Sequence, residues 1–504
     1  MNKGTRLLAA AFITAVMLSL LLLNINKQDT ASTGDALVVY CAAGVKPAIF
    51  PLAQAFEAEY GQEVQLMYGG SGTLLSNLQV SQQGDLYIAA DQSYLDIAAE
   101  QELIAETMPL AWQRPVIAVA KGNPKNIKSL ADLKRADIRV ALGNPDAASI
   151  GKQTKTVLEG AGLWAAVKAQ VEQNGVFKPT VPEVANDVKL GAVDAGVIWD
   201  ATVAQYAELE AVHVPEFDAV RKQISVAVLY SSRQATAALR FARYLNSREG
   251  NAVFSERGFE AVDGDVWAWH PEITFFSGGV NRRAVESVVN EFADREGITV
   301  NAVYNGCGIL TGQMRTIDQE NGAGFPDVYM ACDRYYLDNV SEWFQEDVNV
   351  SEAAIVIAVP KGNPKNIQSL QDLAQPGMRV SVGQPDQCTV GALTRVMMQN
   401  MGIYDDVMKN VVMQTASSSM LVPTISTKSV DATICYNTDT KAESDKVDAV
   451  RIDSPDAKAI QPFSIARSSD HKYIGRRLFA AVAAAKANFE EAGFDFKLGK
   501  DDTK

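Results

Sequence analysis

The sequence predicts an α/β protein built twice over, and three observations point there. Short apolar strands alternate with amphipathic helices, the βαβα order of a mostly parallel sheet. A seven-residue run, Lys121 to Ile127, returns letter for letter as Lys361 to Ile367. The length of 504 residues, 47% hydrophobic and 21% charged, is too great for one compact core and suits two or three domains. Such a composition excludes a disordered, collagen-like or multi-span membrane chain. Acidic residues outnumber basic ones by 60 to 46, a net charge of −14, so a nucleic-acid-binding footprint is missing and no such partner is expected. Only His213, His270 and His471 occur, far apart in sequence, which leaves little for a histidine metal site or a catalytic triad. Neither an enzyme nor a cofactor is expected.

Taken in order, Lys3 and Arg6 precede an uncharged run from Leu7 to Leu23 whose only polar residues are Thr14 and Ser19, the pattern of an export signal. The run is also just long enough to cross a hydrocarbon core of about 30 Å. Residues 1–34 therefore read as a signal peptide, or a signal anchor, plus a polar tether. Either places the protein in the periplasm or on the extracytoplasmic face, and an anchor would hold it to the inner membrane through residues 7–23. Leu37 to Tyr40 reads as a strand. Pro47 to Tyr60 sets Ile49, Leu52, Ala53 and Phe56 on one helical face, and Val64 to Tyr68 is a strand again. Leu86 to Ala89, Val116 to Ala120 and Ile138 to Leu142 read as further strands, with a helix from about Ser93. The Asn-Pro pairs at 123–124 and 363–364 break the chain ahead of helices expected near Ser129 and Ser369.

The repeat extends beyond the seven identical letters. Tyr68-Gly-Gly-Ser-Gly-Thr-Leu74 faces Tyr304-Asn-Gly-Cys-Gly-Ile-Leu310, and Asp85 to Asp91 faces Asp327 to Asp333. Gly143-Asn-Pro-Asp146 faces Gly383-Gln-Pro-Asp386, and Val193 to Trp199 faces Val430 to Tyr436. An offset of about 240 residues means a duplicated domain, not a solenoid. The expected domains are 35–265 and 272–495, with the boundary in Val262 to Pro271.

At Gly69-Gly-Ser-Gly72, Lys121-Gly-Asn-Pro124 and the Val-Asp-Ala-Gly pattern ending at Trp199, the sequence resembles the periplasmic solute-binding proteins of ABC transporters, and specifically their molybdate- and tungstate-binding family. The resemblance implies two class II periplasmic-binding-protein folds in tandem, each of two α/β lobes around a hinge and a ligand cleft. Crossovers are implied near Val116 to Ala120 and Ile355 to Val359, with returns near Ile224 to Val228 and Pro462 to Ile465. It carries ligand contacts to Gly44, Ser71, Ser149, Ile150, Val181 and Trp199 in the first domain. In the second the corresponding positions are Gly279, Cys307, Thr389 and Tyr436. The residues agree with such a role, since a Gly-rich strand-to-helix turn offers amides and a hydroxyl where the helix dipole favours an anion. Taken alone, Gly-Gly-Ser-Gly is equally a tight turn with an N-cap, and Trp199 equally a core residue. The first turn, Cys41 to Gly44, lacks the hydroxyl usual in the family, and Trp199 stands where tyrosine is usual, so it donates but cannot accept.

Four of the five cysteines fall in the second domain: Cys307 where Ser71 stands, Cys332 at Ala90, Cys388 at Ala148 and Cys435 at Ile198. In an oxidising compartment they read as two disulfides, Cys307 with Cys332 and Cys388 with Cys435. A thiolate cluster for Zn(II), Cu(I) or an arsenic species, or a set of buried free thiols, stay open beside that. Cys41 reads as a buried apolar residue. The function expected is an extracytoplasmic receptor for a small oxyanion, molybdate or tungstate before sulfate or phosphate, acting as a monomer with an ABC transporter permease as partner. A membrane-tethered ligand sensor, or a thiol-based metal or redox protein centred on the second domain, are the alternatives.

Overall fold

The computed structural model describes residues 35–319 and 322–499. The export or anchor segment expected at 1–34 lies outside them. Among the described residues no helix is long and apolar enough to cross a membrane. The chain divides between Trp267 and Ala268 into two compact units.

The N-terminal unit is two lobes, each built on its own sheet. The first holds six strands in the order β11-β4-β10-β3-β1-β2: β1 (Leu37–Ala42), β2 (Val64–Gly69), β3 (Leu86–Ala89), β4 (Ile104–Gln113), β10 (Lys222–Leu229) and β11 (Glu260–Ala261). β1 pairs in parallel with β2 and β3, as βαβα order requires, while β10 runs antiparallel between β3 and β4. The second sheet runs β7-β6-β8-β5-β9, from β5 (Pro115–Ala120), β6 (Val140–Gly143), β7 (Val176–Lys178), β8 (Ala195–Trp199) and β9 (Leu209–Val212). Only Arg114 separates β4 from β5, so the chain changes lobe within one residue. Its amide is held by the Asp200 carboxylate at 3.0 Å, fixing that crossover to the end of β8. The return is the entry into β10. Both crossings fall where the resemblance implied them.

In the C-terminal unit the same crossover is unbroken. One strand, β15 (Phe344–Pro360), continues through both lobes, Ala354 standing where Arg114 stands, and it joins their strands into one ten-stranded sheet. Around it lie β12 (Glu272–Gly278), β13 (Thr299–Asn305), β14 (Val328–Met330), β16 (Val380–Gly383), β17 (Val411–Thr415), β18 (Ala432–Tyr436) and β20 (Lys458–Ala466).

The seven identical residues turn out to be a loop requirement. Gly122, Asn123 and Asn126 take φ of 83°, 45° and 51°, and Gly362, Asn363 and Asn366 take 81°, 48° and 51°, a region open to glycine and tolerated by asparagine. The Asn123 side chain accepts from the Ile127 amide (3.0 Å) and donates to its carbonyl (2.7 Å), and Asn363 does the same to Ile367. This loop leaves the end of β5 remote from Trp199, which pairs with Pro115 at the other end. The helices expected at Ser129 and Ser369 are five-residue 3-10 turns, Leu130–Lys134 and Leu370–Ala374. Each is closed by a capping box with Asp132 or Asp372 and ends where Arg135 or Gln375 becomes extended.

Candidate functional site

In the N-terminal unit the carboxyl ends of five strands converge on one gap, and each of them leads into a helical turn, Trp199 capping the one that follows β8. β1 leads into the turn Ala43–Val45, β2 into the helix Ser71–Ser81, β6 into Ser149–Gly160, β7 into Val181–Lys189, and β8 ends at Trp199. Helix starts carry unpaired amides and positive dipole ends, so the gap favours negative charge without a cationic side chain. Gly44, Ser71, Ser149, Val181 and Trp199 border one narrow cleft there. Ile150 does not border it: its side chain turns into the core against Gly143. The remaining wall is Gly69 and Gly70 with small residues not expected to contact a ligand, among them Ala42, Ala90, Ala148 and Thr180. The alanines carry no chemistry of their own, and only alignment of the two halves marks them.

Ser71 is almost wholly buried, and its Oγ accepts from the Ala90 amide at 3.2 Å, which leaves its proton to be donated elsewhere. Its carbonyl takes the Tyr87 hydroxyl at 2.7 Å, fixing the turn from below. Trp199 has no exposed surface, and its Nε1 has no hydrogen-bond partner. A buried donor left unpaired costs about 1–3 kcal/mol.

The glycines of the Gly-Gly-Ser-Gly turn serve lobe contact more than turn geometry. Gly70 has an ordinary φ of −71°, but a Cβ there would sit 2.4 Å from the Ala147 carbonyl oxygen and 2.6 Å from that of Pro179, both in the opposite lobe. A Cβ at Gly72 would meet the Asp146 carbonyl at 2.5 Å. The Gly72 amide donates to the Ala147 carbonyl (2.9 Å). That amide, expected to face a ligand, is therefore spent on closing the lobes. Two side-chain contacts reinforce the closure, Gln153 to Asp91 at 2.5 Å and Lys152 to Ser93 at 3.2 Å.

The C-terminal unit repeats the frame with different groups. Cys307 begins the helix Cys307–Gln319 and accepts the Cys332 amide at 3.0 Å, as Ser71 accepts that of Ala90. Thr389 begins the helix Thr389–Asn400 and Tyr436 ends β18; both side chains are buried, the Thr389 hydroxyl facing the sulfurs of Cys307 and Cys332 and the Tyr436 hydroxyl finding no partner. Gly279 lies at the first turn, where a Cβ would stand 3.7 Å from the Asn305 carbonyl oxygen and from the Ser417 hydroxyl. The expected disulfides are not formed: all five cysteines, Cys41 included, are buried free thiols. Cys307 and Cys332 meet thiol to thiol. Cys435 does not pair with Cys388, because it alternates with Tyr436 along β18 and faces the other side of the sheet, its sulfur against the Ala358 backbone. The four sulfurs thus do not converge, and among the described residues no three His, Cys, Asp or Glu are grouped to hold a metal ion. Burial alone would raise the Cys307 thiol, but the Cys332 thiol and amide facing its sulfur bring it below the usual thiol value. Cys332 itself is pushed well up, by burial and by its neighbour. Asp439, which stands where the N-terminal unit has Thr202, is pushed up to about 6 by burial, against the opposing pull of Arg283.

The family described as bacterial extracellular solute-binding protein matches the chain twice, over residues 37–260 and 273–495. The molybdate-binding protein ModA of Mycobacterium tuberculosis is 28% identical over 228 residues, 44% of this chain and 84% of that protein. ModA of Escherichia coli is 24% identical over 231 residues, 44% of this chain and 88% of that one. Among solved structures, the periplasmic molybdate-binding protein of Azotobacter vinelandii aligns with a TM-score of 0.38 at 18% identity, over 44% of this chain and 98% of its own. The sulfate-binding protein SubI of Mycobacterium tuberculosis aligns with a TM-score of 0.41 at 17% identity, over 54% and 94%.

Proposed function

Since the chain belongs to the bacterial extracellular solute-binding protein family, in two consecutive copies, we propose that its N-terminal unit is a receptor for a small, fully ionised oxyanion, molybdate or tungstate before sulfate or phosphate. The observation that carries this reading is the cavity bordered by Ser71, Ser149 and Trp199, with the indole N–H of Trp199 buried and unpartnered inside it. Ser71, Ser149 and Trp199 can each donate into it, the Thr180 hydroxyl donates to Glu183 at 2.6 Å, and no carboxylate borders it. A fully ionised oxyanion needs only donors, and helix starts supply the compensating charge. Lobe closure would strip water from the anion and set these donors around it, selecting by size and geometry. That several relatives are named for molybdate supports the choice of anion. Export through residues 1–34, function as a monomer and delivery to an ABC transporter permease complete the proposal.

Thermal unfolding of the full chain against molybdate, tungstate, sulfate and phosphate tests it. At one hundred times its dissociation constant a ligand stabilises the unit that binds it by about 2.7 kcal/mol, so one transition should move with one or two of the anions. If no anion moves any transition, the oxyanion reading is wrong.

A further inference from the structure

We propose that the cleft of the C-terminal unit is a dithiol site for a neutral trivalent metalloid hydroxide, of the arsenous acid class, held by Cys307 and Cys332. This goes beyond the oxyanion reading and concerns a different unit. Three exchanges relative to the N-terminal unit act together: Ser71 becomes Cys307, Ala90 becomes Cys332, and Ala42 becomes Gly278. The third makes room for the other two. A Cβ at Gly278 would lie 2.2 Å from the Cys332 sulfur and 3.0 Å from the Cys307 sulfur, so the alanine that serves the first cleft would collide with this pair.

The two sulfurs touch, and the Cys332 amide holds that of Cys307 at 3.0 Å. Thr389, from the opposite lobe, stands beside both. Its hydroxyl and that of Tyr329 face the Cys307 sulfur, and the Tyr436 hydroxyl is buried without a partner. The site therefore offers two soft sulfur ligands and three oxygen groups able to donate or accept. Cys388 lies within electrostatic reach of the pair, but its sulfur is taken by the Val390 and Gly391 amides of its own helix start. Two thiols are too few for a tetrahedral cation site, but a pyramidal trivalent metalloid can take two sulfurs and keep one hydroxyl. An oxyanion fits poorly here, because thiols are weak donors.

The chemistry is ligand exchange without redox change. Each thiol replaces one hydroxide on the metalloid: a sulfur–metalloid bond forms, an oxygen–metalloid bond breaks, and the thiol proton leaves with the hydroxide as water. With phenylarsine oxide as probe, one molecule forms two As–S bonds, and its oxygen departs with both protons as one water.

The test uses the full chain with phenylarsine oxide and, separately, arsenite, read by native mass spectrometry and thermal unfolding in the same samples as molybdate. The expected result is one adduct per chain, reversed by excess small dithiol, with an upward shift of one transition that molybdate does not move. Cys307→Ser with Cys332→Ala restores the residues the N-terminal unit carries at those positions, so the fold has a precedent. This double variant should lose the adduct and the shift while its molybdate response stays unchanged, and Cys388→Ala should keep both. The proposal is overturned by no adduct on a chain whose thiols titrate free after denaturation, or by an adduct that survives the double variant. Loss of the adduct in Cys388→Ala, or a Cys307–Cys332 disulfide in the exported protein, would overturn it equally. Failure here leaves the molybdate response standing, and failure of that response leaves this site standing.

Discussion

Trp199 meets two demands that rarely coincide. Its ring is fully buried in the core of the second lobe, yet its N–H has no partner there. Trp199→Phe keeps most of the packing and removes the unpaired donor. We expect oxyanion affinity to fall about ten- to hundredfold, the worth of 1–3 kcal/mol, while the melting temperature without ligand stays level or rises slightly. Titration calorimetry beside a melting curve checks both, and unchanged affinity would mean the indole touches no ligand. Asp439 makes the matching case in the C-terminal unit. Its native pKa of about 6 lies above the ordinary carboxyl value, so the folded state holds the proton more tightly than the unfolded one. That contribution to stability is fully present below about pH 4 and is lost as the pH rises through about 6, for a sum of order 3 kcal/mol. Asp439→Asn should therefore flatten the pH dependence of the C-terminal transition between about pH 4 and 6 and raise its midpoint at neutral pH.

At the level of elements, the two clefts share helix starts but not the contacts that hold the lobes together. Gln153 bridges to the buried Asp91, and Lys152 reaches Ser93 while its ammonium lies 5.0 Å from the Tyr94 ring centroid. The C-terminal unit has Leu393 and Ala392 at those positions. Gln153→Leu copies that loss and should weaken oxyanion binding about five- to hundredfold through a less favourable closed state, seen as faster ligand release in stopped-flow fluorescence. An unchanged release rate would mean the bridge does not guard the closed form. The strand-to-helix order and the crossovers were legible because periodicity and duplication speak through many residues at once. The sequence motifs misled where one letter pattern serves two ends. Identical Lys-Gly-Asn-Pro loops are an asparagine turn, and Gly70 and Gly72 answer to a carbonyl across the gap instead of to a turn. Such contacts join residues about 75 to 110 apart in the chain, and nothing local announces them.

For the molecule as a whole, each unit closes its own core. In the N-terminal unit Trp267 caps that closure, donating to the Tyr60 hydroxyl at 2.8 Å and lying edge-on to Tyr244 with ring centroids 5.0 Å apart. Separate expression of residues 35–267 and 268–499 should thus give two folded fragments whose melting midpoints reproduce the transitions of the full chain within a few degrees, and a fragment that fails to fold would contradict it. The cysteine pairing was misread at this scale because strand alternation sends Cys435 to the far face, which a linear alignment of the halves does not display. The backbone-to-backbone contact at Gly70 and Gly72 carries one more consequence. Where main chain abuts main chain no substitution can adjust the fit, so diversification is channelled to the alanines beside it. Ala42, Ala90 and Ala148 have become glycine, cysteine and cysteine in the second copy, which makes a duplicated receptor a way to change what is captured while keeping the clasp that captures it.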